Sequence, residues 1–198
     1  MDNKKKKTWI QYGIFAVVVI FLYATGLHTE VIGFAQRGLL ATGLMNPDVE
    51  EIAENTSVEN RIVAKADYNL DLIDKNGKIV PLKKFKGKVI FLNFWATWCP
   101  PCVAEMPSIE KLYRNMGNEV EFVMLSFDNN FETAKEYVKR KEYDLPIYSA
   151  ASTIPDMYDS NALPTTYVID ANGNLALTHQ GMADYNNEEF KEFLKNLK

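Results

Sequence analysis

The sequence predicts an α/β domain: a central mixed β-sheet flanked by helices, with an N-terminal β-hairpin extension and one apolar N-terminal helix ahead of it. Three observations carry that prediction. Two nearly continuous apolar runs, KGKVIFLNFWA and EVEFVMLSFD, read as strands buried on both faces. Stretches of helical period follow each of them. An uncharged stretch, WIQYGIFAVVVIFLYATGL, occupies residues 9–27.

Taken in order, residues 1–7 are a basic tail, with four lysines in a row at Lys4 to Lys7. Residues 8–27 read as a transmembrane anchor, since roughly 20 apolar residues span a bilayer core. Trp9, Tyr12 and Tyr23 lie near its ends, where aromatic side chains suit the membrane interfaces. The lysines belong on the cytoplasmic side, which exports everything beyond Leu27. A cleaved signal sequence, with Ala24 and Gly26 as small residues before the cut, is the alternative; the length of the apolar run favours the anchor. Both readings place the domain outside the cytoplasm; the anchor makes the chain a single-pass inner-membrane (cytoplasmic-membrane) protein with its catalytic domain facing the periplasm.

Residues 28–61 form a linker segment. Its first part, 28–46, mixes apolar residues with three glycines and reads as a short amphipathic helix, either lying on the membrane or packing on the domain. Its second part, 47–61, is polar and acidic, a linker or short solvated helix. Asn55-Thr56-Ser57 matches a glycosylation sequon on the short pattern alone.

The folded domain covers 62–198. YNLDLIDKNGKIVPL is a hairpin turning at Asn76-Gly77. After the first buried strand a helix starts around Cys99 and continues through CVAEMPSIEKLYRNM, kinked at Pro107. The second buried strand leads into an amphipathic helix, NFETAKEYVKRKEY, and then a short extended LPIYSA. LPTTYVIDANGNLALTHQG is a strand, a tight turn at Asn172-Gly173 and an antiparallel return; NNEEFKEFLKNLK closes the chain as a helix. This order gives a mixed sheet with helices on both faces.

Composition narrows the function. The net charge is −4 over 198 residues, and the basic tail holds four of the positive charges, so the body is more acidic still. Such a body offers nucleic acid no partner surface. The only two cysteines, Cys99 and Cys102, are separated by Pro100 and Pro101. Zinc would need more ligands, and only His28 and His179 remain as soft partners. Copper on the two thiols with His179 is a second possibility. A purely structural disulfide would close too short a loop to constrain the unfolded chain much. Redox chemistry accounts for more. A thiol at the start of a helix faces unpaired N–H groups and the positive end of the helix dipole, and both favour the attacking thiolate. Cys99 falls at that junction, where it can be exposed, and Cys102 lies one turn inward, close enough to close a ring. Pro100 and Pro101 suit the first helical turn, where a missing N–H costs little.

NFWATWCPPCVAEMP together with LPTTYVIDANGN resembles the membrane-anchored, thioredoxin-fold oxidoreductases of the TlpA/ResA type, over about residues 62–198. The resemblance implies a thioredoxin-like fold and thiol–disulfide oxidoreductase activity without any cofactor beyond the redox-active disulfide. It implies that Pro164, after Leu163 and before Thr165, is cis and faces the cysteine pair. Thioredoxins carry a buried aspartate in the strand before the active site; here Asn93 occupies that place. The proton acceptor for Cys102 is therefore open between Asp71, Glu105 and water. Trp95 and Trp98 read as packing residues that shape the apolar surface around the site, and Met106 as core.

The expected chemistry is attack by Cys99 on a partner disulfide, followed by attack of Cys102 on Cys99. Strong oxidants place a histidine between the cysteines; Pro-Pro and the nearby acidic Glu105 point instead to a reductant. Relatives reduce exported proteins, including apocytochrome c in cytochrome c biogenesis. The implied partners are thus disulfide-bearing exported proteins and a membrane thiol electron donor. A thiol peroxidase would need Pro and Thr where this chain has Leu92 and Ala96. A copper metallochaperone or a redox-silent, membrane-tethered binding module is the other alternative.

Overall fold

A computed structural model describes residues 3–25, 27–40, 47 and 64–198. The acidic linker expected over 47–61 and its sequon lie outside the described residues, Pro47 excepted. Two helices come first, α1 (Asn3–Ala24) and α2 (Leu27–Leu40). The domain then runs β1 (Asp71–Asp74), β2 (Ile79–Pro81), β3 (Val89–Trp95), α3 (Pro100–Met116), β4 (Val120–Ser126), α4 (Phe131–Arg140), β5 (Ile147–Ala150), β6 (Thr165–Ile169), β7 (Leu175–Gln180) and α5 (Glu188–Asn196).

The seven strands form one mixed sheet in the order β2-β1-β5-β4-β3-β6-β7. β3, β4 and β5 are parallel neighbours, whereas β6 and β7 continue antiparallel on one side and β1 and β2 on the other. The β1–β2 hairpin turns through Asn76-Gly77, where Gly77 takes a positive φ of 80° that a side chain would resist.

Alternation along the strands divides the core. Val89, Phe91 and Trp95 of β3 face one cluster with Val103, Met106 and Ile109 of α3, Tyr137 and Val138 of α4, and Phe190 and Leu194 of α5. Ile90, Leu92 and Phe94 face the other, with Leu72, Leu82, Tyr158 and Tyr167. All three α-helices of the domain therefore cover one face, not both. The reason lies in the strand order: β3 to β4 and β4 to β5 step in the same direction along the sheet, and right-handed crossovers then leave α3 and α4 on the same side. Short 3-10 turns at Leu82–Phe85 and Asp156–Tyr158 help to cover the other.

The N-terminal segment also differs from expectation. The single helix expected over 8–27 stops at Ala24, and α2 starts at Leu27 with its axis turned by 96°. At the break, the Thr25 hydroxyl bonds back to the Phe21 carbonyl at 2.7 Å, an arrangement that bends helices. No single described helix is long and apolar enough to cross a membrane; Trp9–Ala24 and Leu27–Leu40 pass that test only together, as a bent pair. Of the segment 28–46, the part in α2 packs on the domain, and residues 41–46 lie outside the described residues. Gly33 lies so close to α3 that a Cβ there would sit 3.2 Å from the Pro100 carbonyl and 3.1 Å from Val103.

Candidate active site

β3 is buried from end to end and delivers the chain to the site. Its last residue, Trp95, is fully buried core; Trp98, three residues on, is 57% exposed. The two tryptophans thus divide the role expected of them jointly, one packing and the other forming surface. Between them the chain is held by Asp128, just beyond β4. Its carboxylate accepts from the Thr97 hydroxyl at 2.6 Å, the Thr97 backbone N–H at 3.2 Å and the Ser126 hydroxyl at 2.8 Å. Asp128 went unnoticed in the sequence. Its signal is positional: in parallel sheets, site residues gather beyond the carboxyl ends of adjacent strands.

Cys99 is the N-cap of α3, and its sulfur accepts from the Cys102 N–H at 3.3 Å. Pro100 and Pro101 occupy the first helical turn, as expected. Pro107 sits within the helix, and Met106 is buried in the core. Cys99 and Cys102 are joined in a disulfide. Cys99 retains 4% exposure and Cys102 none, so in the oxidised form Cys99 is less exposed than its place at the junction suggested. The reason is its surround: Trp98, Pro101, Phe127 and Leu163 border a groove of about 440 Å³ with Cys99 in its wall. The Leu163–Pro164 bond is cis, and Pro164 is buried at the start of β6. The preceding loop is tied by Thr165, whose hydroxyl donates to the Ala162 carbonyl at 2.8 Å and lies 2.6 Å from the Ser160 hydroxyl.

Behind the disulfide lies a buried polar group. Glu105, one turn beyond Cys102, is fully buried, and burial pushes its carboxyl up to about 8 despite two hydrogen bonds that oppose the rise. Those bonds come from the Asn93 amide at 2.9 Å and the Ala183 N–H at 3.2 Å. The same Asn93 amide donates to the Thr166 hydroxyl, which also accepts from the Tyr185 hydroxyl at 2.7 Å. Tyr185 is itself held well above its ordinary range by burial and by Glu105. The Asn93 carbonyl oxygen has no partner in this arrangement; were the amide turned over, it would face a protonated Glu105. Thr166, Ala183 and Tyr185 were not foreseen, since they come from β6 and the segment after β7.

Of the acceptors left open for Cys102, Asp71 is removed. It is exposed on β1, and β5 and β4 intervene between β1 and β3. At about 4.8 Å per strand it is some 14 Å across the sheet from the site. Strand order decides this, and strand order was not legible. The buried carboxyl also alters one premise: near neutral pH Glu105 is mostly protonated, so it does not act there as a fixed negative charge beside the cysteines.

The Redoxin family matches residues 47–195. The chain belongs to the Redoxin family. Within this Redoxin-family membership it is a thiol–disulfide oxidoreductase of the ResA type: it is 32% identical over 196 residues to the thiol-disulfide oxidoreductase ResA of Halalkalibacterium halodurans, with 98% of both chains covered. Its fold matches a protein from Chlorobium tepidum provisionally assigned as the thiol:disulfide interchange protein DsbE, with a TM-score of 0.58 at 26% identity, over 69% of this chain and 99% of that one. It also matches the exposed lipoprotein thioredoxin Etrx1 of Streptococcus pneumoniae strain TIGR4, with a TM-score of 0.55 at 27% identity, over 64% of this chain and 98% of the other. The thioredoxin-like fold and the enzyme class expected from the motifs are thereby established.

Proposed function

We propose that this Redoxin-family enzyme is a reductase of exported proteins, tethered by α1 to the cytoplasmic membrane with its catalytic domain on the outer side. One observation carries the redox reading: Cys99 caps α3 in the wall of an apolar groove, bonded to a Cys102 that solvent does not reach. A partner disulfide in that groove can meet Cys99 and no other thiol.

The reaction runs from the reduced dithiol. The Cys99 thiolate attacks one sulfur of the partner disulfide and expels the other as a thiolate, leaving a mixed disulfide. Cys102 loses its proton and attacks Cys99, which releases the partner fully reduced and leaves the Cys99–Cys102 disulfide. Two electrons have passed to the client. A membrane thiol donor restores the dithiol by the same exchange in reverse. The acceptor for the Cys102 proton is the ionised form of Glu105, which lies in the same helix one turn on; with its carboxyl pushed up to about 8 by burial, that form is a minority near neutral pH and grows as pH rises.

Two features support the reducing direction. No histidine stands between the cysteines, so the helix start alone favours the Cys99 thiolate, and the solvent-free position of Cys102 disfavours charge on the second sulfur. Clients are exported proteins with accessible disulfides, apocytochrome c before haem attachment among them. The redox potential of the Cys99–Cys102 couple tests the direction. A potential well below that of the strong oxidant DsbA, about −120 mV, is expected; a value near it would reverse the assignment.

A further inference from the structure

α2 is amphipathic in an inverted sense. The face turned to the domain carries the polar residues: Thr29 is buried, and Glu30 pairs with Arg140 at 2.8 Å and Lys141 at 2.7 Å. Gly33 makes the close approach to the first turn of α3, and Leu40 packs with Ala104 and Met182. The opposite face is exposed and apolar, with Leu27, Val31, Ile32, Phe34 and Leu39. A helix that hides its charges and shows its aliphatic side has no reason to face water.

We propose that this outer face of α2 lies in the headgroup layer of the bilayer, so that α2 joins the active-site helix on one side to lipid on the other. Three observations select lipid as the occupant. The face continues directly from α1, whose residues 9–25 are exposed except for the half-buried Val19 and Leu22. The 96° turn sets α2 parallel to the membrane plane when α1 stands along its normal; Tyr23 and His28 stack across the turn with ring centroids 4.4 Å apart. The apolar part of α1, Trp9–Ala24, rises only about 24 Å, some 6 Å less than a hydrocarbon core of roughly 30 Å. A short span draws the interface toward itself, which brings the next apolar surface, α2, into the headgroups. Arg37, its guanidinium 5.5 Å from the Phe34 ring centre, can reach the phosphates from the edge of that face.

The consequence concerns the active site. Because Gly33 touches the turn that holds Pro100, the Cys99–Cys102 loop rides about one helix diameter, roughly 10 Å, from the membrane surface. A dithiol held at that height and orientation suits exchange with a membrane-embedded thiol donor.

This inference rests on the anchoring of α1, and the test separates the two. The full chain is reconstituted in phosphatidylethanolamine–phosphatidylglycerol vesicles, with a spin label on p-acetylphenylalanine at 34, at 31, at 17 in α1, or at the exposed position 139 in α4. The native cysteines are untouched. Collision with oxygen and with a water-soluble nickel chelate is then measured. The expected result is that positions 34, 31 and 17 are open to oxygen and about tenfold less open to nickel than 139. If 34 and 31 match 139 while 17 is lipid-exposed, the inference fails and the anchor stands. If 34 and 31 are shielded from both probes, protein covers the face and the inference fails; dipolar broadening between labels would identify a second copy. If 17 is open to nickel, the anchor falls and the inference with it.

Discussion

Replacing Glu105 with Gln tests the energetics of the buried carboxyl. Its pKa in the folded protein is about 8, against 4.5 for the unperturbed group. Here the folded state binds the proton more tightly than the unfolded one. The group therefore costs nothing below the unfolded pKa, and stability falls as pH rises between the two values, levelling above about 8. At 1.36 kcal/mol per unit, the loss between pH 5 and pH 8 is about 3 kcal/mol. Glutamine keeps the shape and does not titrate. With its oxygen accepting from the Ala183 N–H, its NH2 faces the Asn93 amide, which must turn over so that its carbonyl oxygen, now without a partner, accepts from the glutamine. The assay is urea unfolding of oxidised wild type and Glu105→Gln at several pH values from 5 to 8. The expected outcome is a variant whose stability advantage grows by about 3 kcal/mol across that range. Parallel profiles would refute the buried, proton-holding carboxyl. In single-turnover exchange, the same substitution slows release of the mixed disulfide on the order of a hundredfold, without a like effect on its formation.

Three further outcomes follow from the same geometry. Asp128→Ala leaves the Thr97 and Ser126 donors unpaired and lowers stability by about 2 kcal/mol, read by chemical denaturation. Trp98→Ala removes an exposed wall of the groove and raises KM for a protein disulfide several-fold while Tm stays near wild type, because Trp98 buries little. Gly33→Leu drives a side chain into Val103 and the Pro100 carbonyl, and the overpacked α2–α3 contact costs about 1–3 kcal/mol or opens, detected as faster hydrogen exchange in α2.

The parts of this protein legible in the sequence are those whose chemistry is local. Cys99, Pro100, Pro101 and Cys102 must be near neighbours in the chain for one turn of helix to present them, so their spacing announces them. The strands were legible because burial on both faces demands unbroken apolar runs such as VIFLNFW. What could not be read was set by strand order. It put all three domain helices on one face, moved Asp71 across the sheet, and brought Thr166, Ala183 and Tyr185 around Glu105 from elements far along the chain. The break after Ala24 was hidden for another reason: hydropathy continues through Thr25, while the backbone answers to a hydroxyl. The linker before the domain read as ambiguous because α2 presents an apolar side away from the domain, the reverse of an ordinary surface helix.

Trapping with Cys102→Ser in the native membrane measures most directly whether Cys99 attacks client disulfides. With the resolving thiol gone, exported proteins should accumulate as mixed disulfides on Cys99, released by added dithiol and absent from Cys99→Ser. A Cys102→Ser protein that captures nothing, or that forms the same adducts without Cys99, would contradict the account.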